Sequence, residues 1–157
     1  MPDSIPPPTD KASASALASP CTCFRLRKLS RLLSQRYDAA LAQAGLNINQ
    51  YSILRRAGRT PHAIGSLAGE LGMDRTTLSR DLRPLVDAGW LRLVAGDDDA
   101  RRKRIVVTAA GRRAIARAEP LWHEAQAAVA ALVGGDEALA ALHAGIDAAT
   151  TRVEAAR

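Results

Sequence analysis

Residues 64–88, IGSLAGELGMDRTTLSRDLRPLVDA, decide the fold of this chain. Apolar residues recur there at helical spacing on either side of Gly72. They are Ile64, Leu67, Ala68 and Leu71 before the glycine and Leu78, Leu82, Leu85 and Val86 after it. Ala68 lets two helices approach, Gly72 permits a positive φ in the turn, and Leu78 pins the second helix to the first. Because Asp74 can also cap the second helix, the stretch predicts a helix-turn-helix.

The outward face of the second predicted helix is rich in hydrogen-bond donors. It carries Arg75, Thr76, Thr77, Ser79, Arg80 and Arg83. Arginine reads guanine edges in bidentate fashion, and Thr and Ser reach phosphates or bases. The alternative interpretation is a solvated polar face on a packed pair of helices. The clustering toward the N-terminal half favours a recognition helix that enters the major groove of double-stranded DNA.

The next stretch, residues 89–108 (GWLRLVAGDDDARRKRIVVT), predicts two short strands joined by a polar tip. Trp90, Leu91 and Val94 mark the first strand, and residues 105–107 mark the second. The tip carries Arg101, Arg102, Lys103 and Arg104, which we expect to lie along the DNA backbone or in the minor groove. One of the three acids at residues 97–99 is expected to pair with a tip arginine. A helix-turn-helix followed by such a hairpin is a winged helix.

The segments LAGELGMDRTTLSRDLRPLVDAGWL, the Asp/Arg tip and VTAAGR together resemble the MarR family of winged-helix transcriptional regulators. The resemblance covers the chain from about Cys21 to its C-terminus. The family's wing usually reads D-x-R-D-x-R. Here Arg101 and Asp99 match the second arginine and the second acid, whereas Asp98 replaces the first arginine and Gly96 the leading acid. We therefore expect the minor-groove contact to pass to Arg102 or to weaken.

The flanking sequence predicts long helices around this lobe. Residues 1–20 are rich in Pro, Ser and Ala and are predicted to be a disordered arm. Helices are expected over about 22–44, ended by Gly45, over 47–57, over 109–133 with Thr108 as cap and Pro120 inside, and over 136–155 with Asp136 as cap. The domain boundaries that follow are a winged-helix lobe over 47–108 and a helical dimerisation region over 21–46 and 109–157.

Apolar stripes on the terminal helices need a surface beyond the small lobe. Leu29 or Leu33 of the first helix and Leu142 and Ile146 of the last are the expected dimer contacts. The resemblance implies homodimers of this kind. It also implies an effector site between the dimer helices and the winged lobe, often for small phenolic or aromatic anions.

Composition sets limits on compartment and partner. The chain has 157 residues, a net charge of +6 and 3% aromatic residues. The charge is consistent with a polyanion partner. No apolar run reaches membrane-spanning length and no export signal is evident, so we expect a cytoplasmic protein without a membrane partner.

No catalytic or cofactor motif is recognisable. His62, His123 and His143 form no ligand-spaced pair, and no phosphate loop or nucleophile–base set can be named, so neither a metal, a cofactor nor an enzyme is expected. Cys23 is the one candidate for redox chemistry. Its Cys-Phe context resembles the OhrR branch of the family, but Arg27 replaces that branch's tyrosine. Nearby arginines favour a thiolate, whereas the alternative role is that of a small apolar filler.

The sequence thus predicts a mainly α fold with a small β-wing. The predicted function is a transcriptional regulator, acting as a repressor, that binds a pseudo-palindromic operator as a homodimer and responds to a small-molecule effector. Two alternatives stay open: a thiol-based peroxide sensor acting through Cys23, and a helical protein-interaction module without specific DNA binding.

Overall fold

The computed structural model describes residues 20–60, 62–96 and 103–156. In chain order they form helix α1 (Thr22–Leu41), a 3₁₀ turn (Ala42–Ala44), α2 (Ile48–Ala57), strand β1 (His62–Ala63), α3 (Ile64–Glu70) and α4 (Arg75–Asp87). Strands β2 (Leu91–Ala95) and β3 (Lys103–Val107) follow, and then helices α5 (Ala109–Leu132) and α6 (Asp136–Ala155). This order of helices around a small sheet confirms the winged-helix prediction.

The chain divides into two units between Gln35 and Arg36, inside α1. The described part of the first unit is the amino-terminal portion of α1. The second unit holds the remaining elements, and its core is a cluster of buried apolar side chains. The largest fully buried members are Tyr51, Leu41, Ile53, Leu54, Leu67, Leu78, Leu82, Leu85, Leu91 and Ile105. Burial of such side chains is the main source of stability in a domain of this size.

Helix caps set the boundaries of the elements. Asn47 and Gln50 form a capping box at the start of α2. Gly45 and Gly72, with φ values of 73° and 64°, adopt the left-handed conformation that the turns after the first and third helices require. The predicted cap at Asp136 is wrong, because Gly135 (φ 101°) occupies the cap position of α6 and makes no side-chain hydrogen bond. Asp136 is instead the first helical residue.

Three antiparallel strands form one sheet in the order β1-β3-β2. Val107 pairs with Leu91 on one side of β3, and Ile105 pairs with His62 on the other. The two wing strands were predicted from the sequence, whereas β1 was not. It is two residues long, which is too short to show strand alternation.

The junction between the wing and α5 is unusually close. Thr108 caps α5 by accepting from Gly111 N at 3.0 Å, and its hydroxyl donates to Gly89 O at 2.6 Å. A Cβ at Gly111 would lie 2.2 Å from the carbonyl oxygen of Trp90. Only a glycine therefore fits at this point of the first turn of α5.

In the part of the chain that the structure describes, no single helix is both long and apolar enough to span a membrane. Helices α5 and α6 meet the length and composition criteria only as a pair, and the two are bent by 95° relative to one another.

Candidate nucleic-acid interface

Helix α4 presents the predicted donor-rich face on its exposed side. Leu78, Leu82 and Leu85 are buried and fix the opposite face against the core. The side chains of Arg75, Thr76, Ser79, Arg80 and Arg83 are exposed, and that of Thr77 is half-buried. The helix-turn-helix therefore brings these six residues together on one element, as the sequence predicted, and their contacts with DNA stay a prediction.

Asp74 holds the amino-terminal turn of α4. Its Oδ1 accepts from Thr77 N at 2.9 Å, and its Oδ2 accepts from the Thr77 hydroxyl at 2.6 Å. The hydrogen bonds from Thr77, first from its side chain and then from its backbone, lower the pKa of the Asp74 carboxyl below its ordinary value. The ionised side chain thus satisfies N–H groups that begin the helix and have no partner in it.

Two of the predicted contact residues use their hydroxyl hydrogens within the helix. Thr77 donates to Asp74, and Ser79 donates to the carbonyl of Arg75 at 2.7 Å. Such local bonds are typical of Ser and Thr near helix starts. A phosphate only accepts hydrogen bonds, so in this rotamer neither hydroxyl can donate to one. We therefore expect the arginines and Thr76 to make the stronger DNA contacts.

The arginines of α4 differ in their surroundings. The Arg75 side chain lies beside α3, where a Cβ at Gly65 would be 3.7 Å from its Nε. Arg80 is 3.9 Å from Asp81 and Arg83 is 4.0 Å from Asp87, and their side chains are 78% and 85% exposed. Exposed ion pairs of this length contribute little. Arg80 and Arg83 can therefore exchange an acid for a phosphate or a base edge at small cost.

The wing is described only in its strands. Arg104 is half-buried on β3, where it pairs with Val94 of β2 and with Ala63 of β1. The predicted tip residues Arg101 and Arg102, together with the acids at 97–99, lie outside the described residues. Their contact with DNA stays a prediction.

A cavity of about 260 Å³ lies between α2 and α5. The residues that line it are Ile48, Tyr51, Ser52, Arg55, Arg56, Arg59 and Trp122. Arg55 stacks over the Trp122 ring with its Cζ 4.7 Å from the ring centroid, and the rings of Tyr51 and Trp122 are 6.3 Å apart. Three arginines and two aromatic rings thus surround one small space, and none of the described residues that line it is acidic.

The Tyr51 side chain is buried, and its hydroxyl has no hydrogen-bond partner among the described residues. Burial raises the pKa of the Tyr51 phenol, an effect that the neighbouring Arg55 cation opposes. Buried polar groups are nearly always hydrogen-bonded. The unpaired hydroxyl is therefore a second polar feature, beside the arginines, of the residues that form this cavity.

Sequence reasoning missed this cavity. Ile48, Ser52 and Arg55 follow one another at three- or four-residue intervals and so share a face of α2, which was a usable signal. Trp122 carries no such signal, because it lies more than sixty residues further along the chain and reaches the cavity only through the packing of α5 against α2.

The structure also places the residues considered for redox and metal chemistry. Cys21 precedes the first residue of α1, Cys23 lies in its first turn, and both are exposed. The redox role considered for Cys23 stays a prediction. Among the described residues no group of three or more His, Cys, Asp or Glu side chains could hold a metal ion.

Comparison with solved structures gives many matches. The transcriptional regulator MosR of M. tuberculosis in complex with DNA is 39% identical, with a TM-score of 0.77 over 87% of this chain and 98% of that one. A second structure of MosR is 35% identical to this chain, with a TM-score of 0.71 over 85% of this chain and 98% of that one.

Two more distant structures share the fold. CouR from Rhodococcus jostii bound to p-coumaroyl-CoA is 21% identical, with a TM-score of 0.66 over 78% of this chain and 86% of CouR. A mutant MarR from E. coli with operator DNA is 17% identical, with a TM-score of 0.71 over 79% and 89%. No family model and no curated protein matched the sequence.

Proposed function

Because this chain belongs to the MarR family of winged-helix transcriptional regulators, we propose that it is a repressor that binds a pseudo-palindromic operator as a homodimer. The exposed donor face of α4 is the observation that carries the proposal, since Arg80 and Arg83 stand on the solvent side of a helix whose other face is fully packed. A helix held in this way can enter the major groove without rearrangement of the core.

A dimer would place two such helices on successive major grooves. Helix α6 supports this part of the proposal, because Ile146 and Val153 are 40% and 63% exposed and their seven-residue spacing places them on the same side of the helix. Large aliphatic side chains on one helical face favour burial against another surface. A second copy of the chain supplies that surface with two-fold symmetry.

The experiment that tests DNA recognition is a mobility-shift titration on DNA from around the protein's own gene. Arg80→Ala should weaken specific binding by about 1–3 kcal/mol per half-site and relax the preference at one base pair. Arg117→Ala, which also removes an exposed positive charge but from α5, is the matched control and should bind as the wild type does. Unchanged operator affinity of a folded Arg80→Ala variant would refute the assigned role, and absence of any specific shift would favour a helical interaction module instead.

We also propose that a small aromatic or phenolic anion is the effector and that it binds in the cavity between α2 and α5. Arginine guanidinium groups offer paired donors to a carboxylate, and the Tyr51 and Trp122 rings offer an apolar surface for a ring. The effector would act by binding one state of the dimer more tightly than the other, so that the DNA-competent state loses population.

The probe for this effector class is 4-hydroxybenzoate, with neutral 4-hydroxybenzamide as its control. The carboxylate should weaken the operator complex, whereas the amide should not, because it keeps the ring and loses the charge that the arginines bind. Equal effects of the two compounds would contradict an anion site.

A further inference from the structure

Arg56 lines the cavity and also forms an ion pair with the helix-turn-helix. It lines the cavity from α2, where its Nη1 donates to the Ser52 hydroxyl at 3.0 Å. Its Nε lies 3.2 Å from Oε1 of Glu70, the last residue of α3. A single guanidinium therefore connects the wall of the cavity to the first helix of the helix-turn-helix.

Glu70 lies close to the point where the helix-turn-helix turns. Gly72, with φ 64°, follows it by two residues and leads into the cap of α4. The second oxygen of Glu70 is 3.9 Å from His62 Nδ1 on β1, and the His62 ring contacts the Thr60 hydroxyl at 3.2 Å. The Arg56–Glu70 pair thus tethers the end of α3 to α2, next to the turn that orients α4.

We propose that Arg56 couples the cavity to the DNA-binding element, because an anion in the cavity competes with Glu70 for its guanidinium. Binding of the two acceptors to Arg56 is partly mutually exclusive. A carboxylate in the cavity that accepts hydrogen bonds from the Arg56 guanidinium weakens the ion pair between Arg56 and Glu70. The end of α3 then loses its tether to α2. The competition rests on the proposed anion site in the cavity, and the consequence for the operator rests in addition on the proposed DNA-binding function.

The size of this coupling follows from the exposure of the pair. The Arg56 and Glu70 side chains are 40% and 42% exposed, so water screens their attraction. Loss of an exposed ion pair of this kind changes an equilibrium constant by about two- to five-fold. By thermodynamic linkage, removal of Glu70 should raise the affinity for the anion by this factor. Binding of the anion should lower the affinity for the operator by the same factor, as far as the effect passes through Arg56.

Titration calorimetry with 4-hydroxybenzoate tests the competition without DNA. Glu70→Gln leaves every residue that lines the cavity unchanged and should bind the anion about two- to five-fold more tightly than the wild type. Glu154→Gln, which removes one exposed negative charge from α6, is the matched control and should show wild-type affinity. The Gln side chain of Glu70→Gln keeps an amide oxygen that can still accept from Arg56, whereas Glu70→Ala has no acceptor there. The anion affinity of Glu70→Ala should therefore increase at least as much as that of Glu70→Gln. Equal affinities of all four proteins, or no anion binding by any of them, would overturn the coupling.

A mobility-shift titration then measures the operator arm. The anion should weaken the operator complex of the wild type, and this response should be about two- to five-fold smaller for Glu70→Gln. If both proteins release the operator equally, the coupling through Arg56 is wrong and the proposed repressor function stands. If neither protein binds operator DNA, the proposed function fails, and the calorimetric comparison still decides whether the anion and Glu70 compete for Arg56.

Discussion

Gly111→Ala tests the close junction between the wing and α5. The new Cβ would meet the Trp90 carbonyl oxygen at 2.2 Å and Val107 Cγ1 at 2.8 Å, so the backbone on one side must move by about 1 Å to reach ordinary contact distance. The Trp90 carbonyl also accepts from Thr108 N at 3.0 Å, and the movement strains that bond. Overpacking and the weakened hydrogen bond outweigh the better helix propensity of alanine, which leaves a net loss of about 1–3 kcal/mol in unfolding free energy.

The assay is urea unfolding followed by circular dichroism, with Gly69→Ala as the matched control. A Cβ at Gly69, in helix α3, would meet nothing within 4 Å. The same chemical change should therefore stabilise the protein there by about 0.4–1 kcal/mol. If Gly111→Ala is as stable as the wild type, or if both variants lose stability equally, the steric reasoning is refuted.

The other predictions concern the wing, the dimer and the helix cap. Arg102→Ala should weaken binding to all DNA sequences alike and lower the salt dependence by about one unit per lost phosphate contact in each subunit; altered base preference with an unchanged salt slope would contradict this role. Ile146→Asp should abolish dimers and operator binding together, because it buries an unpaired charge, and a stable dimer in sedimentation would rule out the placement. The pKa of Asp74 lies below its ordinary value of 3.8, so its stabilising effect is present above that value and is lost as the pH falls through the lowered one. The stability difference between the wild type and Asp74→Asn should therefore stay constant well above pH 3.8 and shrink as the pH falls below it, and a difference that does not change with pH would count against the cap.

Local signals in the sequence predicted most of the winged-helix lobe. The caps at Asp74 and Thr108 were readable because each is a polar side chain that accepts from an N–H group three residues further on. The positive φ at Gly72 followed from the need for a tight turn between two apolar stripes. These features depend on neighbours in sequence, which is why sequence alone could place them.

Features that depend on distant contacts were not predictable. The cavity requires Trp122 of α5 to contact Tyr51 and Arg55 of α2, and nothing in the local pattern around Trp122 indicates that contact.

Two local features also differed from what simple rules suggest. The cap of α6 was assigned to Asp136 because acids favour helix starts, but two successive glycines let the chain turn one residue earlier. In α4 the helix continues through Pro84, whose ring is exposed and whose missing N–H removes only one bond near the helix end.

The position of Trp122 in the cavity wall means that the intrinsic tryptophan fluorescence of the protein should report ligand binding there. The sequence contains two tryptophans, one in the cavity wall and one, Trp90, at the base of the wing. Trp122 touches the Arg55 guanidinium and the edge of the His123 ring, which lies 5.0 Å away, so its emission should respond to any molecule that enters the cavity. In a Trp90→Phe variant the tryptophan emission would come from Trp122 alone, and effector libraries could be screened by its quenching without a label and without DNA.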